Sequence, residues 1–226
     1  MTIDSSTYWK SLRLGSGSSC PNVALFRLFG FGGVDIEGKR VLEIGFGANR
    51  GADLVECKAR GAIAYGVDIN DSYVGDFRNH HPDISVTTMN AGLDPYPFDT
   101  KFDLIYHRDV IYYLTDAQIE FHIRNSFDAL SSGGFLIFQF IEKDLYLNRN
   151  HSQRTSYKFN LTELRNASSE KIFRGEENPI RLLNIDWLIN VAVESGLNIK
   201  GSKTVLESYA LDESFYRMDR YSMFQK

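Results

Sequence analysis

The sequence predicts a doubly wound α/β fold, a mostly parallel sheet with helices on both faces. Three observations carry that expectation. From Lys39 onward, short β-rich runs alternate with helix-length stretches, the rhythm of βα units whose strands pair in parallel. The first run, VLEIGF, passes into a glycine-containing loop and then a helical stretch, an arrangement that open α/β sheets use where they bind ligands. With 226 residues, 43% of them hydrophobic and 24% charged, the chain is long enough for one large domain with its own core and is not disordered.

Residues 1–38 read as an N-terminal helical extension. LGSGSSCPN is a Gly/Ser-rich loop. Pro21 suits the first turn of a helix through VALFRLF, where its missing N–H costs nothing, and Gly30, Gly32 and Gly33 end that helix. The main domain spans residues 39–226. VLEIGF is its first strand and GADLVECKAR its first helix, stopped by Gly61. AIAYGVD is the second strand, SYVGDFRN a short polar helix, ISVTTMN a third strand rich in β-branched residues, and FDLIYH the fourth. In DAQIEFHIRNSFDAL, Ile119, Ile123, Phe127 and Leu130 recur at three- and four-residue steps, so that stretch is an amphipathic helix. Ser131 to Gly134 make a turn into the fifth strand, FLIFQFI. Residues 142–180 break the rhythm as a polar insertion with scattered aromatics. A helix at IDWLINVAVESG and two late strands, around IKGSKTV and YSMFQK, complete the chain.

Bulk properties narrow the function. A formal net charge of -4 implies no strongly basic face, which argues against a main role in gripping a polyanion. Cys20 and Cys57 have no spacing for a zinc site and read as reduced thiols. MTIDSSTYWK has no apolar core of a secretory signal, and no apolar run reaches the roughly 18 residues of a membrane span. The expectation is a cytoplasmic protein without a membrane partner.

The residues that carry chemistry cluster at strand ends. VLEIGFGANRG (residues 41–51) is a strand, a loop with Gly45 and Gly47, and a helix start. Glycines let a ligand approach the backbone and allow positive φ, and the helix start offers free N–H groups to an anion. Glu43 lies two residues before the first glycine. Asp68 ends the second strand, where a carboxylate can accept both hydroxyls of a ribose. Asn90 ends the third, where an amide can bond an adenine edge.

These motifs resemble the class I S-adenosylmethionine-dependent methyltransferases. The resemblance is specific over residues 39–141 and looser to the end of the chain. VLEIGFGANRG looks like the family's first motif and AYGVDIN like its ribose-binding strand. FDLIYHRDVIYYL with ALSSGGFLIF looks like the fourth strand, its helix and the fifth strand. The resemblance implies a Rossmann-like, seven-stranded sheet with a reversed terminal strand, S-adenosylmethionine as cofactor, and residues 142–180 as a substrate cover. It implies Gly45 and Gly47 at the methionine moiety, Asp68 with Ile69 at the ribose, and Asn90 with Ala91 at the adenine. Asn49 stands where the family often has a third glycine; Asn best tolerates left-handed geometry among non-glycine residues. A nicotinamide dehydrogenase would show G-x-G-x-x-G, whereas this chain has G-x-G-x-x-x-G, ending at Gly51.

Around this frame stand the single candidates. Glu43 is expected at the methionine ammonium, or else to fix the glycine loop. His107 and Asp109 follow the fourth strand, where the family presents the transferable methyl. His107 is a candidate cofactor contact and, by its ordinary pKa, a candidate base; Asp109 orients it, acts itself, or caps a helix at Val110. Tyr112 and Tyr113 line a pocket, or one packs in the core and the other faces solvent. His80, His81 and His122 read as solvent-facing. Tyr146, Arg149, His151, Arg154, Tyr157 and Lys158 of the insertion can hold a flat or anionic acceptor, or the segment, which also carries Glu163, Glu170, Glu176 and Glu177, is only a solvated flap. The expected activity is methyl transfer to an oxygen or nitrogen of a small molecule, such as a sugar, a nucleotide-linked sugar or another metabolite. The alternatives are a nucleic-acid methyltransferase, which would show Asn/Asp-Pro-Pro-aromatic after the fourth strand, and a catalytically silent cofactor-binding scaffold.

Overall fold

The computed structural model describes residues 10, 21, 25–26, 29–30, 32–140, 173–174, 179–180, 183–208 and 216–226. Cys20 and the insertion candidates Tyr146, Arg149, His151, Arg154, Tyr157 and Lys158 lie outside the described residues. The elements are β1 (Arg40–Ile44), α1 (Ala52–Ala59), β2 (Ile63–Asp68), α2 (Asp71–His80), β3 (Ser85–Thr88), β4 (Phe102–His107), α3 (Asp116–Ala129) and β5 (Leu130–Phe140). They continue with β6 (Phe173–Arg174), β7 (Pro179–Ile180), α4 (Ile185–Glu194), β8 (Asn198–Ser208) and β9 (Tyr216–Gln225).

The main sheet has seven strands in the order β3-β2-β1-β4-β5-β9-β8. Pairs from β3 to β5 are parallel, and β9 runs against both β5 and β8, as expected. Its central strands read as continuous apolar runs because both faces are covered. Leu42, Ile44, Ile105, Leu136 and Phe138 face α3 and α4, meeting Ile119, Ile123, Leu188 and Ala192. Val41, Leu104, Tyr106 and Ile137 face the other way, toward Leu54 of α1, Val74 and Phe77 of α2, and Leu25, Phe26 and Phe29 of the N-terminal helical segment. Phe29 sets its ring edge-on to Tyr106 at 5.7 Å.

Two local features depart from the sequence expectation. The turn expected at Ser131 to Gly134 is a bulge inside β5. Pairing with β4 jumps from Phe102↔Leu130 to Leu104↔Phe135, Gly133 takes a φ of 77°, and the Ser131 hydroxyl binds Phe102 O and Asp103 Oδ1 at 3.0 Å each. Within the stretch read as an insertion, β6 and β7 form an antiparallel ribbon. Its second strand lies beside the 3-10 turn Ile111–Tyr113 that follows β4.

Candidate active site

A cleft opens at the C-terminal ends of β1, β2, β3 and β4. In the order β3-β2-β1-β4-β5, strand succession reverses between β1 and β4, the position where open α/β sheets leave a crevice for ligand. Of the residues read from the sequence, Gly45, Asp68, Ile69, Asn90, Ala91 and Asp109 line this one cleft. Ile44, Val67, Tyr73, Met89, Val110, Tyr113, Leu114 and Gln118 complete its wall.

The loop after β1 is shaped by close approaches that only glycine permits. Gly45 takes a φ of 77°, and a Cβ there would lie 2.3 Å from Val110 Cγ2. A Cβ on Gly47 would lie 2.1 Å from Tyr73 Cδ2 and 2.9 Å from Asp68 Oδ2. The Gly47 N–H donates to Asp68 Oδ2 at 2.8 Å, latching the loop to the end of β2. The left-handed geometry expected at Asn49 falls on its neighbours. Asn49 closes the 3-10 turn Phe46–Asn49, and the chain reverses at Arg50 (φ 57°) and Gly51 (φ 72°).

Asp68 is 8% exposed. Its Oδ1 accepts the Asn70 N–H at 2.9 Å. Burial pushes its pKa above the ordinary value, and the Asn70 and Gly47 N–H groups pull it back. The capping of α2 belongs to Asn70, whose Oδ1 accepts from the Ser72 and Tyr73 N–H groups, so Asp68 is not that helix's cap. Asn90 Oδ1 accepts the Gly92 N–H at 3.1 Å, which orients the amide at the adenine end expected for it.

Glu43 and His107 lie beneath the cleft. Glu43 is 2% exposed and accepts the Tyr106 hydroxyl at 3.0 Å; burial first, and then the charge of Asp53, drive its pKa well up. Its observed partner is a phenol, not a loop N–H. Beside it, Arg108 Nε pairs with the fully buried Asp53 at 3.1 Å, joining the β4 exit to the start of α1. This tie was illegible in the sequence, because Asp53 lies outside every motif.

His107, read as a candidate base or cofactor contact, lies in the core and is not part of the cleft wall. Its ring is 1% exposed and stacks on Phe138 (centroids 5.5 Å, planes 12° apart) and edge-on against His122 at 5.1 Å. Neither ring nitrogen has a hydrogen-bond partner among the described residues, and burial holds its pKa well below the ordinary value. The cause is strand alternation: His107 follows Ile105 onto the α3 face. His122, read as solvent-facing, is fully buried there, with Tyr96 Oη 3.5 Å from its Nδ1. His80 is exposed, and His81 tilts its ring against Phe77 at 4.7 Å.

Asp109 is held by several elements. It takes a φ of 55°, its N–H donates to Gln139 Oε1 at 3.2 Å, and the buried Tyr112 hydroxyl donates to its Oδ1. It is not a cap for α3, which starts later in a capping box of Thr115 and Gln118. Of the tyrosine pair, Tyr113 lines the cleft and Tyr112 is core.

Sheet order, glycine loop and strand-end acid together define the class I, Rossmann-like methyltransferase architecture. Residues 23–176, more than half of the chain, match the family model described as a methyltransferase domain. A Mycobacterium tuberculosis protein named "Probable S-adenosylmethionine-dependent methyltransferase" is 36% identical over 97 residues. That match covers 43% of this chain and 34% of the relative, so the chain spans only a third of that protein's length. A crystal structure of an S-adenosylmethionine-dependent methyltransferase from Mesorhizobium loti superposes with a TM-score of 0.66 at 17% identity, covering 91% of this chain and 99% of that one. The N-methyltransferase NodS from Bradyrhizobium japonicum WM9, in complex with S-adenosyl-L-homocysteine, gives 0.60 at 16% identity, with 98% and 96% covered. The chain belongs to the methyltransferase domain family, within the class I S-adenosylmethionine-dependent enzymes. S-adenosylmethionine is the cofactor of that class, and the Gly47 latch and the cleft-facing Asp68 fit it.

Proposed function

We propose that this chain transfers a methyl group from S-adenosylmethionine to an oxygen or nitrogen of a small molecule. The observation that carries the reading is one cleft joining Gly45, Asp68, Ile69, Asn90, Ala91 and Asp109 at the strand ends. Bound S-adenosylmethionine supplies an electrophilic methyl on a sulfonium. The chain's own residues do the rest. Gly45 and the Gly47 loop admit the methionine end to the backbone, Asp68 takes the ribose hydroxyls, and Asn90 with Ala91 flanks the adenine. The reaction is an in-line displacement, so alignment and exclusion of water supply most of the rate.

Asp109 is the group placed to receive a proton from the acceptor or to hold a cationic one, since it lines the cleft while His107 does not. Residues 142–180 are assigned as the cover; the seat of β7 beside the turn that carries Tyr113 supports this. A formal charge of -4 favours a small acceptor over a nucleic acid. The test has two stages. Calorimetry is expected to show binding of S-adenosylmethionine and S-adenosyl-L-homocysteine, and no heat at millimolar ligand would refute the reading. Radiolabelled methyl transfer is then screened against small hydroxyl- and amine-bearing metabolites, DNA, RNA and protein extract. Label entering only a macromolecule would overturn the small-molecule assignment.

A further inference from the structure

We infer that Gln139 is a positioning residue that acts through Asp109, its side-chain oxygen fixing the turn that carries the carboxylate into the cleft. The inference rests on the proposed place of Asp109 at the methyl-transfer end. Gln139 belongs to none of the motifs in the sequence. It stands in β5 between Phe138 and Phe140 and is fully buried. An uncharged amide in such a run is expensive to desolvate, so its presence calls for a partner that an apolar residue cannot serve.

That partner is a backbone group. Parallel pairing between β4 and β5 stops at His107↔Phe138, and two residues later Asp109 turns left-handed, with a φ of 55°. No ladder carbonyl continues to that point, and Gln139 Oε1 accepts the Asp109 N–H at 3.2 Å instead. Tyr112, also fully buried, donates its hydroxyl to Asp109 Oδ1. One contact therefore fixes the main chain of Asp109 and the other its carboxylate. The following residue, Val110, has Cγ2 2.3 Å from where a Gly45 Cβ would stand, so the same turn also walls the glycine loop. A shift of this turn moves a charge relative to the cofactor's cationic end without removing any group that touches the cofactor.

The probes are S-adenosyl-L-homocysteine, which is neutral where the methyl was, and sinefungin, which carries a protonated amine there. Calorimetry gives the ratio of their dissociation constants. Asp109→Asn is expected to lower the preference for sinefungin about tenfold, the scale of a lost hydrogen bond to a charged group. Gln139→Met, near-isosteric but without an acceptor, is expected to lower it about three- to tenfold, with S-adenosyl-L-homocysteine affinity kept within about threefold. In the Asp109→Asn background, Gln139→Met is expected to change the ratio no further, as it must if one residue acts through the other. Gln139→Glu keeps an acceptor oxygen and is expected to hold or raise the native ratio. An unchanged ratio in Gln139→Met, with a fall in Asp109→Asn, overturns the role of Gln139 and leaves that of Asp109 standing. A fall in Gln139→Glu as deep as in Gln139→Met, or full additivity in the double variant, also overturns it. An unchanged ratio in Asp109→Asn removes both. Failure of the native protein to bind either probe refutes the methyl-transfer reading itself.

Discussion

The buried histidine pair predicts acid lability of defined size. His122 is fully buried, and burial lowers its pKa from 6.5 to about 4, with the Ala91 backbone pulling the other way. Between those values the unfolded chain takes up a proton that the folded chain refuses. The stabilising contribution of neutral His122 is thus complete above the ordinary value and is lost as pH falls toward about 4. At about 1.4 kcal/mol per pH unit, the loss is about 2 kcal/mol by pH 5 and about 3 kcal/mol by pH 4. That is a large part of the roughly 5–15 kcal/mol that holds a domain folded. His107 adds to the loss, lowered by burial and by its neighbour. Glu43 and Asp68, both raised by burial, act in the opposite sense, so the native curve alone is composite.

The His122→Leu variant removes this group together with its effect on His107. Tyr96 keeps its hydroxyl bonded to Ser126 at 2.8 Å, while the Ala91 backbone loses its contact with the ring, a cost common to every pH. Urea unfolding followed by circular dichroism at a series of pH values gives both stabilities. The native protein is expected to lose about 2 kcal/mol more than the variant between neutrality and pH 5. Parallel curves for the two proteins would refute the reasoning.

Three further outcomes follow from single contacts. Asp68→Ala removes a carboxylate expected to hold ribose hydroxyls at about 1.5–3 kcal/mol each, so calorimetry should find S-adenosyl-L-homocysteine binding weakened roughly ten- to several hundred-fold; an unchanged dissociation constant would reduce Asp68 to a brace for Gly47. Gly47→Ala puts a methyl 2.1 Å from Tyr73 Cδ2, and the loop or the Tyr73 ring at the cleft wall must move, with binding expected to fall by at least about tenfold while overpacking costs about 1–3 kcal/mol of stability. Cys57 is fully buried, and burial drives its thiol pKa up, so peptide mapping after iodoacetamide treatment should find it unlabelled until denaturant is added.

Much of the frame was legible in the chain because it rests on local chemistry. The strands β1, β2, β4 and β5 carry apolar runs, and the amphipathic steps of α3 are read within a single helix. Gly45 and Asp68 could be placed at the cleft from sequence because a strand end is a local event and the sheet aligns such ends on one edge. What only the tertiary structure decided is which way individual groups point. In a strand covered on both faces, successive residues are equally apolar, so nothing in FDLIYH says that Tyr106 meets Glu43 while His107 meets Phe138 and His122. One residue of parity separates a candidate base from a core side chain. The partners of Asp109 were hidden for a related reason. Gln139 lies 30 residues away, on a strand brought alongside only when the sheet assembles, and a hydrogen bond at that separation leaves no periodic trace in the sequence.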